Sequence, residues 1–196
     1  MDTLSQADTE IFLWINGWVG TFGTFDKMAQ LIVSDYLVPV IFSAVLLGFW
    51  FGWSDLSMRE RHQRGVILSS VSVAVSSIVV TLFNTFYFRH RPFNSLDVDL
   101  LFYAPTDSSF PANPIAIVVA MATGIWVTNK LMGTAMYVIA LAYGLSRVYT
   151  GVFYPMDVFA GALIGISATY FVYIILKIIE PVPTLCLRLA RFLCLA

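Results

Sequence analysis

Charge-free apolar runs follow one another along most of the chain. A run of roughly 20 such residues matches the thickness of a bilayer when it is helical. Five runs approach this length: Tyr36–Trp53, Gly65–Phe88, Ser108–Asn129, Leu131–Ser146 and Val158–Leu176. Their residues do not alternate between polar and apolar positions, as the ~10-residue strands of a membrane barrel would. The pattern predicts five membrane-spanning α-helices.

The two ends of the chain carry weaker patterns. Ile11–Phe25 is apolar but short and contains three glycines, which favours an interfacial or half-inserted helix, with a sixth span as the alternative. Leu185–Ala196 places two arginines among leucines, as in a helix that lies on a membrane surface. We therefore expect a single integral membrane domain, with an N-terminal segment 1–30, a helix bundle 31–179 and an amphipathic tail 181–196.

Composition agrees with a membrane protein. Of the 196 residues, 59% are hydrophobic and 12% are charged, whereas soluble domains average about 45–50% and about 25%. So few charges could not cover the surface of a water-soluble globule. The net charge of −1 provides no basic field for nucleic acid, so we expect membrane lipids to surround the chain and no nucleic-acid partner.

The distribution of cations predicts the orientation. Short loops rich in Lys and Arg stay in the cytoplasm. With the predicted spans, seven cations fall on one side: Arg59, Arg61, Arg64, Lys130, Lys177, Arg188 and Arg191. The opposite side receives Arg91, Arg147 and Asp157, so we expect these three residues on the extracytoplasmic face.

Three polar segments on that face carry the candidate chemistry: 84–92, 108–114 and 146–157. Ionisable side chains at the ends of spans are costly unless they are paired or functional, which makes Arg91, Arg147 and Asp157 candidate site residues. Two converging guanidinium groups fit phosphate oxygens. No cluster of histidine, cysteine or carboxylate residues indicates a metal, so we expect neither a metal nor a cofactor.

These segments resemble the motifs of the type 2 phosphatidic acid phosphatases, and most closely their undecaprenyl-diphosphatase branch. The family motifs are Lys, six residues, Arg-Pro; then Pro-Ser-Gly-His; then Ser-Arg, five residues, His, three residues, Asp. The resemblance covers nearly the whole chain and places Arg91 and Arg147 on phosphate-binding positions, Asp157 on the residue that orients the nucleophilic His, and Asn84 on the phosphate-binding Lys position. It implies an all-α bundle of five to six transmembrane helices with the phosphatase and haloperoxidase core, in a bacterial cytoplasmic membrane.

The departures from these motifs fall on the catalytic positions. Pro114 stands where the family has the His that protonates the leaving group, and Phe153 stands where it has the nucleophilic His. Phenylalanine has no lone pair with which to attack phosphorus. A lost general acid alone costs about 10²–10⁴-fold. The sequence therefore predicts a binding site for a lipid phosphate or polyprenyl phosphate with impaired catalysis.

Local expectations follow from the altered motifs. Asn113 is a favoured N-cap and Pro114 a favoured first helical residue, so the second motif predicts a helix start. Without an imidazole to orient, Asp157 is expected to pair with Arg147. His90 is a candidate relocated nucleophile, although it has no evident carboxylate partner; Tyr149 and Ser109 are weaker candidates because the sequence shows no adjacent base.

Three hypotheses on function stay open. The first is a binder of lipid phosphate that does not hydrolyse it. The second is an accessory or structural subunit of a larger membrane complex, in which the charged residues form internal ion pairs. The third is an active undecaprenyl-diphosphate or phosphatidic acid phosphatase with altered chemistry.

Overall fold

The computed structural model describes residues 3–192, and these residues form α-helices and no strand. In chain order the helices are α1 (Thr3–Asn16), α2 (Gly23–Ile32), α3 (Leu37–Phe51), α4 (Leu56–Phe86), α5 (Pro92–Ser95), α6 (Asn113–Thr128), α7 (Lys130–Tyr149), α8 (Pro155–Ile178) and α9 (Pro181–Phe192). The all-α fold is confirmed.

The five predicted spans fall on α3, α4, α6, α7 and α8. Of these, α4, α7 and α8 are each long and apolar enough to cross a membrane. Helices α2 and α3 are apolar enough together, but they are bent by 52° and form either one broken span or a re-entrant loop. Helix α6 is apolar but has only 16 residues. The count of five to six crossings therefore stays a prediction, while the membrane-helix bundle itself is confirmed.

The N-terminal segment differs from the single interrupted helix that the sequence predicted. It forms two helices, and Gly20 between them adopts a φ of +80°, a left-handed conformation that glycine reaches without steric cost. Phe12 of α1 is fully buried against Val148 and Tyr154, so α1 packs on the bundle. Trp14 and Trp18 stay exposed, as the predicted interfacial position requires.

The bundle exposes apolar side chains on its outer surface, and polar side chains lie between some of its helices. Leu47, Ile78 and Ile174 are more than half exposed, which suits contact with lipid. Ser69 and Thr169 are fully buried between helices and donate hydrogen bonds to carbonyl oxygens of α6. Such close, hydrogen-bonded helix contacts are typical of membrane bundles, where lipid is as apolar as leucine.

Helix α6 lies at the centre of the bundle because glycines of its neighbours allow close approach. A Cβ atom on Gly161 of α8 would lie 2.4 Å from the carbonyl oxygen of Ala112, and one on Gly165 would lie 2.6 Å from that of Ala116. These two glycines, four residues apart on α8, thus pack against α6 within the chain. It fixes the start of α6 beside the start of α8, where two of the three motif segments meet.

One helix terminus differs from expectation. The N-cap of α6 is Ala112 rather than Asn113, and the buried amide oxygen of Asn113 accepts no hydrogen bond from a described residue. Pro114 lies in the first turn as predicted. Beyond α8, the chain turns into α9 at Pro181, and residues 193–196 of the predicted tail lie outside the described part.

Candidate functional site

The three motif segments meet at one end of the bundle, which we call the Arg147 end. Backbone hydrogen bonds join them: the Ser109 amide donates to the Arg89 carbonyl at 2.9 Å, and the Ala112 amide donates to the Asp157 carbonyl at 3.1 Å. Gly151, with a φ of +85°, turns the chain from α7 towards α8. The structure therefore brings together the segments that the sequence singled out.

The ring of Phe153 lies against both predicted phosphate-binding arginines. The Cζ atom of Arg91 lies 4.2 Å from the centre of the Phe153 ring, and that of Arg147 lies 5.8 Å from it. The ring is 2% exposed. Both guanidinium groups thus converge on the nucleophile position of the family motif, and aromatic carbon fills that position.

Arg91 is buried and partnered on several sides. Its Nε donates to the Asp107 carbonyl, Nη1 donates to the Val152 carbonyl, and Nη2 donates to Asp107 Oδ1 at 2.9 Å. Burial lowers the pKa of the Arg91 guanidinium, and the charge of Asp107 opposes this effect. Since the Asp107 side chain is 67% exposed, this carboxylate covers Arg91 from the solvent side.

Arg147 is held by a carboxylate from a distant part of the chain. Its Nη2 donates to Asp35 Oδ1 at 2.5 Å and to the hydroxyl of Tyr143, while its buried Nε has no partner among the described residues. The Tyr103 hydroxyl donates to the other oxygen of Asp35 at 2.6 Å. This hydrogen bond raises the pKa of Tyr103 to about 12, because it holds the proton against a neighbouring negative charge.

The predicted pair of Asp157 with Arg147 is wrong. Asp157 is fully buried, and its Oδ1 accepts from Arg89 Nη1 at 2.5 Å. The other terminal nitrogen of Arg89 donates to Asp8 at 2.7 Å, and the Arg89 guanidinium lies over the ring of Tyr154. Arg147 bonds to Asp35 instead, because α7 ends next to the start of α3.

Arg89 and Asp8 are therefore site residues that the sequence reasoning missed. Burial opposes the charge on Arg89, but the attraction of Asp157 and Asp8 raises the pKa of its guanidinium above the usual value. The run Arg89-His90-Arg91 showed a cation cluster, but only the fold decides which cation faces inward. Asp8 lies in a helix that carries no motif, so the sequence offered no sign of its role.

Ser109 differs from expectation because it does have an adjacent carboxylate. Its buried hydroxyl donates to Asp157 Oδ2 in a short hydrogen bond, and the same oxygen accepts from the Tyr154 amide. Asp157 thus binds Arg89, Ser109 and the first turn of α8 at once.

The remaining candidate residues lie around this core. Asn84 is half-buried near the end of α4, and no described hydrogen bond joins it to either phosphate-binding arginine; its buried Oδ1 has no partner among residues 3–192. His90 is exposed, and its ring contacts that of Phe88. The Tyr149 hydroxyl donates to Asp26 at 2.6 Å.

Comparison with known proteins agrees with this geometry. The family model described as "PAP2 superfamily" matches residues 65–179. The chain is 29% identical over 172 residues to "Bacitracin transport permease protein BcrC" of Bacillus licheniformis, which covers 87% of this chain and 81% of that protein. It is 23% identical over 181 residues to "Undecaprenyl-diphosphatase BcrC" of Bacillus subtilis, which covers 92% and 90%.

A solved structure shares the fold. The crystal structure of Aquifex aeolicus LpxE superimposes with a TM-score of 0.66 at 28% sequence identity, covering 84% of this chain and 93% of that one. The motif segments that meet at the Arg147 end all lie within or beside the region that the family model matches, so the comparison and the geometry concern the same part of the molecule.

Proposed function

The chain belongs to the PAP2 superfamily, and we propose that it binds the phosphate head group of a polyprenyl or other lipid phosphate between Arg91 and Arg147 without hydrolysing it. In this proposal the chain is an integral membrane protein of a bacterial cytoplasmic membrane with the Arg147 end facing outward. The names of its relatives point to undecaprenyl diphosphate as the first ligand to test.

One observation carries the proposal: the ring of Phe153 contacts both guanidinium groups. Two of the three cations that would bind a phosphate remain, Arg91 and Arg147, while the position from which a nucleophile would attack phosphorus holds no lone pair. Pro114 likewise offers no proton to a leaving group. A phosphate at this site would be held by charge-assisted hydrogen bonds and left intact.

Binding requires that the phosphate replace the carboxylate of Asp107 on Arg91. This carboxylate lies in the loop between α5 and α6, and its exposure leaves it free to move into water when an anion arrives. A phosphate offers more acceptor oxygens than a carboxylate and can bridge two guanidinium groups. We infer that Asp107 covers the site when no ligand is bound.

The test combines binding and turnover on purified full-length protein in detergent. Binding of a short-chain polyprenyl phosphate is expected for the unchanged protein, to be lost in Arg91→Gln, and to persist in Lys27→Gln, which removes an exposed cation at the same end. Phosphate release from undecaprenyl diphosphate is expected to stay at background. Equal affinity in Arg91→Gln and the unchanged protein would refute the proposal.

A structural subunit is the second candidate, because Arg91, Arg147 and Arg89 each already bind a carboxylate. If the chain is a structural subunit, it binds no lipid phosphate, and the variant Asp107→Asn shows no binding either. Under the proposed function the same variant binds more tightly than the unchanged protein. A partner that co-purifies in fixed stoichiometry, together with absent lipid binding, would favour the subunit.

Turnover would support the third hypothesis. If purified protein releases phosphate, Ser109→Ala and His90→Ala distinguish two possible origins. Loss of activity in Ser109→Ala alone would assign the chemistry to the hydroxyl beside Asp157, and loss in His90→Ala alone would assign it to the exposed imidazole. Either result would overturn the proposal that hydrolysis is absent.

A further inference from the structure

A cavity lies at the opposite end of the bundle from Arg147, which we call the Arg64 end. It has a volume of about 610 Å³ and opens between α4 and α8. Ligand sites commonly measure about 300–1,000 Å³. None of the phosphatase motif residues lines it, so the cavity is separate from the site at the Arg147 end.

The mouth of the cavity carries cations that are not neutralised. Arg64 is engaged, since it donates to Glu180 at 2.6 Å, to Glu60 at 3.2 Å and to Thr184 at 3.0 Å. Arg61 and Lys177 also line the cavity, and in the part of the chain that the structure describes neither forms an ion pair. The three cations of the lining, Arg61, Arg64 and Lys177, exceed its two carboxylates, Glu60 and Glu180, by one charge. Arg61 on α4 and Lys177 on α8 are both exposed.

The wall below these cations is apolar. Ile67, Leu68, Val127 and Leu176 line it. On α4, residues three and four apart lie on one face, so Ile67 and Leu68 lie one turn from Arg64 on the same face of the helix. On α8, Tyr173 lies four residues before Lys177 and also lines the cavity. Each helix thus presents a charged position at the mouth and an apolar or aromatic position one turn deeper.

We propose that this cavity binds one phosphate-bearing lipid from the membrane leaflet at the Arg64 end. The phosphate lies between Arg61 and Lys177, and one acyl chain follows the apolar wall between α4 and α8. The match of charge at the mouth with an anionic head group, and of the wall with a hydrocarbon chain, selects a lipid over a soluble anion. The site is independent of the proposed function at the Arg147 end.

Native mass spectrometry of the purified full-length protein tests this proposal with dioctanoyl phosphatidylglycerol as the probe. We expect one lipid to bind preferentially over dioctanoyl phosphatidylcholine. Because each cation near an anionic lipid contributes about fivefold to affinity, the double variant Arg61→Gln/Lys177→Gln is expected to bind about 30-fold more weakly. Arg188→Gln, which removes an exposed cation outside the cavity, is the matched control and should bind normally.

A second variant tests the wall without changing charge. Ile67→Trp fills the space below the cations and is expected to weaken binding while the melting temperature stays close to that of the unchanged protein. Equal affinity in the double variant and the unchanged protein would overturn the site. Equal binding of phosphatidylcholine would overturn the anionic selectivity, and full competition by inorganic phosphate would overturn the choice of a lipid.

Two outcomes separate this site from the proposed function. If Arg91→Gln abolishes binding of polyprenyl phosphate but leaves phosphatidylglycerol bound, both sites exist independently. If Arg91→Gln abolishes phosphatidylglycerol binding and Arg61→Gln/Lys177→Gln does not, the lipid binds at the Arg147 end and the cavity proposal is wrong.

Discussion

The cations at the two ends of the bundle differ in burial and in ion pairing. At the Arg147 end, three arginines are largely buried, and each forms an ion pair with at least one carboxylate. Some of these carboxylates come from remote parts of the chain. At the Arg64 end, Arg61 and Lys177 are exposed and have no such partner among the described residues. Buried charges require partners because desolvation is costly, whereas exposed charges stay hydrated. At the first end an anion must displace a carboxylate to reach a guanidinium group, whereas at the second end the two exposed cations are open to water.

The largest difference should appear when one cation is removed from each end. Arg89→Ala leaves the buried carboxylates of Asp157 and Asp8 without their cation, so we expect the free energy of unfolding to fall by about 3–5 kcal/mol. Arg61→Gln should change it by less than about 0.5 kcal/mol, as for other surface substitutions. Reversible unfolding in detergent measures both. Similar losses in the two variants would contradict the comparison.

The next largest loss of stability is expected when a carboxylate is removed from the Arg147 end. Asp35→Asn leaves the nearly buried Arg147 with the Tyr143 hydroxyl as its remaining side-chain partner, and we expect a loss of about 1–3 kcal/mol, typical of a hydrogen bond to a charged group. Asp97→Asn, an exposed acid at the same end, is the control. Thermal unfolding of both variants checks this, and an equally stable Asp35→Asn would show that Arg147 tolerates burial without its carboxylate.

A smaller effect is expected on ligand affinity at the Arg147 end. Asp107 shields Arg91 from the solvent side, and exposed ion pairs contribute up to about 1 kcal/mol. Asp107→Asn should therefore bind a short-chain polyprenyl phosphate up to about fivefold more tightly, with Asp97→Asn unchanged. Weaker binding in Asp107→Asn would mean that Asp107 helps the ligand rather than competing with it.

The smallest effect concerns alkaline pH. The pKa of Tyr103 is about 12 in the folded protein, against about 10 for an unfolded tyrosine. The hydrogen bond from Tyr103 to Asp35 stabilises the folded protein fully below pH ~10. This stabilisation is lost as the pH rises towards 12, because the tyrosine of the unfolded chain releases its proton at a lower pH than that of the folded chain. Stability measured over this range should fall less in Tyr103→Phe than in the unchanged protein. Parallel curves would show that Asp35 does not hold this proton.

The sequence predicted the helices well and the partners of the charged groups poorly. Each predicted span falls on a helix because a charge-free run of sufficient length is a local property. The motif spacing likewise placed Arg91, Arg147 and Phe153 in one site. Asp157 shows the limit: its partner was expected within the same motif, yet the fold supplied Arg89 from the end of α4.

Sequence alone determined that this chain is a membrane-embedded member of a phosphatase family whose two histidine positions hold Pro114 and Phe153. It could do so because hydropathy and motif spacing are written in consecutive residues. Only the tertiary structure decided that Asp35 reaches Arg147, that Asp8 reaches Arg89, and that Arg61 and Lys177 share an apolar cavity. Those pairings depend on which helix ends meet, and that is set by close packing around α6 rather than by any local pattern.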